Sequence, residues 1–176
     1  MQARKETEIP HDGRTVYVWP VASADRDALI RMLSRLSQRT IYERFHAPYP
    51  KVPGWALALM TEADHRDREA LVAVAGEEIL GHAMYVRAVD GREAEFAVVV
   101  EDRWQSMGVG KRLLTELAAA AGGRGIELFT GSVLGENRGA LGALSAVFPE
   151  MRYEVKDGSY QVRVPLRALP HQERAA

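Results

Sequence analysis

The sequence predicts an α/β (α+β) fold, in which a mixed, mostly antiparallel, twisted sheet of about six to seven strands has helices on both faces. Three observations predict this class. Runs of β-branched and aromatic residues recur between turns rich in glycine and proline, and amphipathic stretches with helical spacing alternate with them. One apolar run also follows directly on a helix, as a parallel crossover requires.

The first third of the chain is predicted to hold one strand and three helices. Thr15 to Trp19 form the strand, which stops at Pro20. Ser23 is expected to cap the first helix, and Ser37 a second, short helix that runs through Phe45. The proline-rich loop HAPYPKVPGW follows, and WALALMTE forms a third short helix.

The middle of the chain has the pattern of an antiparallel meander. Three strands, EALVAVAG, EILGHAMYVRAV and REAEFAVVV, are separated by turns at Gly76 and at Asp90 and Gly91. A helix from Val109 ends at Gly122 and Gly123. These segments place three adjacent strands directly before a helix.

The last third begins with IELFTGSVL, which is expected to be a strand buried on both faces, because it is apolar on both. A helix from about Arg138 to Val147 follows, and then a hairpin that turns at Asp157 and Gly158. Since no composition shift suggests a second domain, we expect one domain over residues 14–167, with an N-terminal tail of residues 1–13 and a C-terminal tail of residues 168–176.

Composition excludes several classes of function. With 23 basic and 24 acidic side chains the net charge is −1, which offers no electrostatic footprint for nucleic acid or an anionic membrane. The absence of cysteine removes disulfides, thiolate metal sites and thiol nucleophiles. The charged start is unlike a signal peptide, and no apolar run is long enough to span a bilayer. We therefore expect a soluble, cytoplasmic protein.

No metal site is expected, because the five histidines lack ligand spacing. One of them, His82, lies on a predicted core strand and is expected to be a hydrogen-bonded structural residue.

The stretch QSMGVGKRLL carries the strongest signal for a ligand. A strand that stops, a glycine-containing loop and a helix that begins at once present free N–H groups and a positive helix end to an anion, typically a phosphate. An ATP-type P-loop does not fit, because Gln105 and Arg112 occupy two of its required positions. A dinucleotide loop fits poorly, because Leu113 stands at its third glycine.

The pattern Gln/Arg-x-x-Gly-x-Gly/Ala is met in full by Gln105, Gly108 and Gly110. With it the sequence resembles the GNAT superfamily of N-acetyltransferases from about Thr15 to Leu166. The resemblance implies acetyl-CoA as acyl donor, bound in a splay between the fourth and fifth predicted strands. It implies that the pantetheine arm pairs with backbone at Val98, Val99 and Val100 and contacts Asn137. It also implies a pyrophosphate held by the amides of Gln105, Ser106, Met107, Gly108, Val109, Gly110 and Lys111. Asn137 is equally a candidate helix N-cap.

The chemistry requires an amine to lose its proton. A lysine-like amine with a pKa near 10.4 is about 3.4 units too protonated at neutral pH, which costs roughly 4.6 kcal/mol. Glu95 is the best candidate for the general base, because it enters an apolar strand where partial desolvation is expected to raise its pKa. The alternatives are Glu93 on the same face, or a structural ion pair of Glu95 with Arg87 or Arg92.

A closer resemblance rests on LSQRTIYERF, AEFAVVVEDRWQSMGVGKRLL and VLGENRGAL, which look like the bacterial lysine acetyltransferases that modify acyl-CoA synthetases. It implies a protein lysine as acceptor, with Arg44 and Phe45 matching an Arg-Phe signature whose role is either helix packing or contact with the substrate. A small-molecule amine acetyltransferase and a catalytically weak acyl-CoA-binding module remain alternatives. The sequence departs from the wider family where a tyrosine often protonates the leaving thiolate. It has Leu144, Ser145 and Val147 there, which leaves solvent, Ser145 or Tyr153 as the acid.

Overall fold

The computed structural model describes residues 5–8 and 15–166. Within them, eight strands form one sheet in the order β1-β2-β3-β4-β5-β6-β8-β7. All neighbouring strands are antiparallel except β5 and β6, which are parallel. The strands are β1 (Lys5–Glu8), β2 (Thr15–Pro20), β3 (Arg68–Ala75), β4 (Glu78–Arg87), β5 (Glu93–Val100), β6 (Leu128–Leu134), β7 (Arg152–Lys156) and β8 (Ser159–Pro165).

Helices cover both faces of this sheet and enclose two apolar clusters. One cluster lies under the helices that follow β5, with Leu113, Leu114 and Leu117 fully buried. The other lies under the helices between β2 and β3 and contains Leu29 and Met32. The helices are α1 (Arg26–Ser34), α2 (Gln38–Phe45), α3 (Gly54–Thr61), α4 (Val109–Gly122) and α5 (Arg138–Val147).

The parallel strands β5 and β6 separate before they end. Their pairing runs from Glu93 opposite Leu128 to Glu95 opposite Thr130, although β5 continues to Val100. At the point of separation, a Cβ on Gly131 would lie 3.1 Å from the Phe96 ring and 3.3 Å from the Phe96 carbonyl oxygen. Only glycine fits there without a shift. The predicted splay between these two strands is therefore confirmed.

The predicted mixed sheet with helices on both faces is confirmed, and the structure adds strand β1 at residues 5–8, inside the predicted N-terminal tail. The predicted C-terminal tail, residues 168–176, lies outside the described residues.

Two expectations about individual elements are wrong. Ser23 does not cap α1: it begins a short 3-10 turn, closed by the Asp25 carboxylate, which accepts the Ala22 N–H at 2.8 Å. Strand β6 is buried on one face only, because Phe129 and Val133 point into the core while Ser132 is exposed. Apolar character on both faces did not reveal that, among the described residues, no helix packs against the second face.

Candidate functional site

A cleft of about 510 Å³ opens where β5 and β6 diverge. Its walls come from α2, the end of β5, the loop before α4 and the beginning of α5. Nine of the eleven residues expected to hold the cofactor line it: Val98, Val99, Val100, Gln105, Ser106, Gly108, Gly110, Lys111 and Asn137. The side chains of the other two, Met107 and Val109, pack against the apolar core. The fold thus brings the predicted cofactor residues to one place.

The loop between β5 and α4 has the geometry of an anion cradle. Ser106 and Gly108 have positive φ values of 62° and 88°, and α4 begins directly after Gly108. The Arg112 N–H donates to the Gly108 carbonyl oxygen at 3.0 Å, so the amides of residues 109–111 precede the helical ladder. Such N–H groups lie at the positive end of the helix and favour a bound anion.

Hydrogen bonds fix this loop to the start of α2. The Asp102 carboxylate accepts from the Ser37 N–H at 2.9 Å, the Ser37 hydroxyl at 2.6 Å and the Thr40 hydroxyl at 2.8 Å. Burial acts to raise the pKa of Asp102, but these hydrogen bonds outweigh it and hold the pKa below its usual range. The Gln105 amide donates to the Val100 carbonyl oxygen at 3.1 Å. These hydrogen bonds therefore join helix α2 to the loop.

Beyond Glu95, the edge of β5 that faces the splay is not paired with β6. Its backbone N–H and C=O groups can therefore pair with another extended segment. The Phe96 carbonyl points toward Gly131 on β6, and the Val100 carbonyl accepts from Gln105 on the same side. Because these directions alternate along a strand, Val98 also points its N–H and C=O into the splay, where β6 has already separated. An extended ligand can pair with this edge as an added strand.

The C-terminal end of α2 contributes two charged residues that the sequence did not assign to the cleft. Glu43 and Arg44 line both the cleft and an adjoining cavity of about 60 Å³. Glu43 accepts an ion pair from Arg39 at 2.9 Å. The Arg44 Nε is buried and has no hydrogen-bond partner among the described residues. Burial lowers the pKa of Arg44 to about 10, and the charge of Glu95 partly opposes this effect. The Arg44 guanidinium is therefore still charged at neutral pH.

The beginning of α5 closes the other side of the cleft. The Asn137 side chain accepts the Ala140 N–H at 3.0 Å, so it caps α5 and also lines both cavities. Of the positions where a family tyrosine is common, Leu144 is buried against the small cavity and Ser145 is exposed.

Glu95 does not line the cleft. Its side chain is exposed and lines a broad concavity of about 980 Å³ on the open face of β6, β8 and β7, together with Thr130 and Tyr153. The partial desolvation expected for Glu95 is wrong, because this face is open beside it.

The two arginines considered as ion-pair partners of Glu95 pair with other carboxylates. Arg87 pairs with Asp67 at 3.0 Å, and Arg92 pairs with Glu127 at 2.6 Å. The alternative base Glu93 accepts an ion pair from Arg163 at 3.0 Å. None of these three arginines therefore forms an ion pair with Glu95.

Within residues 5–8 and 15–166, no group of three or more acidic, histidine or cysteine side chains is arranged to hold a metal ion. No helix in that same part of the chain is long and apolar enough to cross a bilayer.

His82 is fully buried beneath the site, and one of its ring nitrogens lies 3.0 Å from the Met60 carbonyl oxygen. The expected structural role is confirmed. Burial, with a smaller effect of the Arg44 charge, lowers the pKa of His82 to about 3. The folded protein therefore keeps the imidazole neutral over a pH range in which the unfolded chain binds a proton.

This burial predicts acid sensitivity. A histidine in the unfolded chain has a pKa of about 6.5. The stability that the neutral, buried His82 contributes is therefore fully present above this pH, and it is lost as the pH falls toward the pKa of His82 in the folded protein. Between pH 7.5 and 5 the loss is about 2 kcal/mol. Urea unfolding across this range should show a smaller loss for His82→Gln, which removes the titrating group. An exposed control, His46→Asn, should keep the wild-type slope, and equal slopes for all three proteins would refute the account.

The fold is similar to that of known proteins. The structure superimposes on the GNAT domain of S. lividans PAT with a TM-score of 0.84 and 28% identity, over 92% of this chain and 96% of that one. It also superimposes on the yncA protein of Salmonella typhimurium, solved with its cofactor acetyl-CoA, with a TM-score of 0.67 and 17% identity, over 88% of this chain and 96% of that one.

Two further relatives are longer than the part they share with this chain. Acetyltransferase PA5475 from Pseudomonas aeruginosa is 26% identical over 114 residues, which are 62% of this chain and 61% of that protein. A cAMP-binding acyltransferase from Mycobacterium smegmatis is 22% identical with a TM-score of 0.65, over 97% of this chain and 50% of that one.

The family model for acetyltransferases of the GNAT type matches residues 31–145, which is more than half of the chain. That segment runs from α1 to α5 and includes the splay, the glycine-containing loop and the cleft. The chain therefore belongs to the acetyltransferase (GNAT) family.

Proposed function

We propose that this chain transfers the acetyl group of acetyl-CoA to a primary amine, and that the acceptor is a lysine side chain of a protein of the acyl-CoA synthetase type. The observation that carries the proposal is the convergence of a helix N-terminus and an open strand edge on one cleft. The likeness to the GNAT domain of PAT at 28% identity supports it further.

The residues of the cleft fit acetyl-CoA. The amides of residues 105–111 lie where a pyrophosphate can accept hydrogen bonds, and Lys111 and Arg138 add positive charge beside them. Val98 offers its N–H and C=O to the pantetheine arm. The cavity of about 60 Å³ beyond it is on the order of twice the liquid volume of one water, which suits a group as small as acetyl.

The chain's own residues then orient the reactants and move the proton. When bound, acetyl-CoA supplies an activated thioester. The Val98 N–H supports the negative charge that develops on the carbonyl oxygen, as a backbone donor aimed at that position. Glu95, on the acceptor side of the splay, takes the proton from the amine. The cofactor and the acceptor thus approach from opposite sides of the diverging strands.

A protein lysine fits the acceptor side better than a small polycation does. The broad concavity contains Glu95 and Glu154, but also Arg152 and Arg163, so its charge is mixed. A polyamine site would gain from an excess of carboxylates.

We also propose residues 14–167 as the catalytic domain. A chain without cysteine is compatible with a reducing cytoplasm, which we propose as its compartment.

The test is the release of free CoA from acetyl-CoA with three separate acceptors. These are an acyl-CoA synthetase, the same synthetase without its active-site lysine, and a polyamine mixture. Release with the intact synthetase alone is the expected result. Release with the polyamines would indicate small-molecule acetylation instead. Binding of acetyl-CoA without release from any acceptor, including whole-cell protein, would favour the acyl-CoA-binding module.

Gly108 offers a test of the cofactor loop. Its φ of 88° strains any residue with a Cβ, so Gly108→Ala is expected to cost about 1–2 kcal/mol of stability. Distortion of the loop should weaken at least one charge-assisted hydrogen bond, which raises the KM for acetyl-CoA on the order of 10-fold.

The matched control is Gly76→Ala in the turn between β3 and β4, which has a φ of 61°. It should lower the melting temperature by a similar amount, roughly 2–8 °C, without a change in KM. An unchanged KM in Gly108→Ala would remove the loop from the cofactor site.

A further inference from the structure

The cleft and the small cavity meet at one junction, and a single cationic side chain lines both. The residues shared by the two cavities are Glu43, Arg44, Val98, Asn137 and Ala140. They come from α2, β5 and the first turn of α5. Arg44 is the one residue among these five that carries a positive charge.

The junction is where the sulfur of acetyl-CoA has to lie under the proposed function, on which this inference rests. A pantetheine arm paired with the open edge at Val98 leads toward the point of strand separation. Its acetyl group then enters the cavity of about 60 Å³. The thioester between them is placed at the junction, beside Arg44.

Arg44 has capacity to interact with a further group at this point. Its Nε is buried and, in the described part of the chain, has no hydrogen-bond partner. Its guanidinium carbon lies 4.9 Å from the centre of the Phe45 ring, which holds one face of the group against an aromatic surface. A planar guanidinium offers several donors in a fixed geometry, so an anion beside it can be bound.

The charges around Arg44 leave it the dominant cation at the junction. On its own helix, Glu43 is engaged by Arg39 at 2.9 Å. On β5, Glu95 carries a negative charge that acts on Arg44. On β4, the buried His82 is neutral near pH 7. The other cations of the cleft, Lys111 and Arg138, do not line the small cavity, and α5 brings only the neutral Asn137 and Ala140 to the junction.

We propose that the Arg44 guanidinium stabilises the CoA thiolate as the acetyl group leaves. The amine nitrogen forms a bond to the acetyl carbon, and the carbon–sulfur bond breaks with its electron pair on sulfur. The amine proton passes to Glu95 and then to solvent. Electrostatic stabilisation of the thiolate takes the place of proton donation from α5, where Leu144 occupies the wall of the small cavity.

The test measures the thiol pKa of bound CoA, from the thiolate absorbance of the complex against the complex with desulfo-CoA. The reference is the thiol pKa of free CoA, measured in the same buffer. In the wild-type protein the bound thiol is expected at least about one unit lower. Arg44→Met should return the pKa to the free value or above it, and Arg44→Lys should keep part of the decrease.

Affinity and turnover give two further measurements on the same variants. At a pH midway between the thiol pKa values of bound and free CoA, the preference of the protein for CoA over desulfo-CoA is expected to fall about threefold in Arg44→Met, for a difference of one pKa unit. The transfer rate should fall on the order of 10²-fold, with the KM for acetyl-CoA changed little. The control is Arg31→Gln on the exposed side of α1, which should match the wild type in every measurement.

Three results would overturn the inference. One is a wild-type complex in which the bound thiol has an ordinary pKa, a measurement that needs no variant to fold. Another is an equal loss of affinity for CoA and desulfo-CoA in Arg44→Met, which would assign Arg44 to another part of the cofactor. The third is a wild-type protein that does not bind CoA, which would refute the proposed function as well.

Discussion

Replacing Glu95 with glutamine is expected to lower the rate constant of acetyl transfer by about 10²–10⁴-fold, the range that a positioned general base contributes. The reason is the protonation of the acceptor: a lysine amine must lose a proton at a cost of roughly 4.6 kcal/mol near neutral pH. Glutamine keeps the size and polarity of the exposed side chain but cannot take the proton. Stability and the binding of acetyl-CoA should therefore change little.

The rate should be measured in single turnovers as a function of pH. Toward about pH 10 the acceptor amine deprotonates by itself, so the gap between the variant and the wild type is expected to narrow. Glu93→Gln is the matched control, because Glu93 lies on the same strand face but is paired with Arg163. Glu43→Gln is a second control, because the Glu43 carboxylate lines the cleft. A large loss in Glu43→Gln or Glu93→Gln, with Glu95→Gln active, would transfer the role of base to that residue.

Glu101→Ala is expected to have the largest effect on stability among the residues near the site. Glu101 is 3% exposed, and it accepts ion pairs from Arg35 at 2.8 Å and from Arg103 at 2.6 Å. The arginines that remain have side chains 29% and 55% exposed, so the expected cost is that of the lost charge-assisted hydrogen bonds, about 1.5–3 kcal/mol. Because Glu101 directly follows β5, the same change should also loosen the cofactor loop and raise the KM for acetyl-CoA.

The measurement is the melting temperature, which should fall by roughly 3–12 °C in Glu101→Ala. Glu78→Ala is the control, because its ion pair with Arg103 at 2.9 Å is exposed on both sides and worth about 1 kcal/mol or less. Similar melting temperatures for the two variants would show that the Glu101 pairs are not a buried anchor of the loop.

Much of the fold could be predicted because local patterns determine it. Turn residues at Gly76, Gly91 and Gly158 have the positive φ values that their hairpins need, and α5 has the bounds that its apolar spacing indicates. The cofactor loop was predictable for the same reason, since Gln105, Gly108 and Gly110 are neighbours in sequence.

The remaining features depend on contacts between distant segments. Arg44 carries no local signal for the cleft beyond its place in a family-like motif. Helix α2 is brought there by hydrogen bonds of Ser37 and Thr40 with Asp102, more than sixty residues away. In the part of the chain that the structure describes, no helix covers Glu95 or this face of β6, and strand patterning does not show that. Side-chain environment therefore proved harder to predict than position.

The most direct test of the account is to map acetyl-lysine by mass spectrometry after incubation of the chain with acetyl-CoA and an acyl-CoA synthetase. The account predicts acetylation of the active-site lysine of the synthetase that grows with time, and that is strongly reduced with Glu95→Gln. An unmodified synthetase, under conditions in which acetyl-CoA binds and another amine is acetylated, would contradict it.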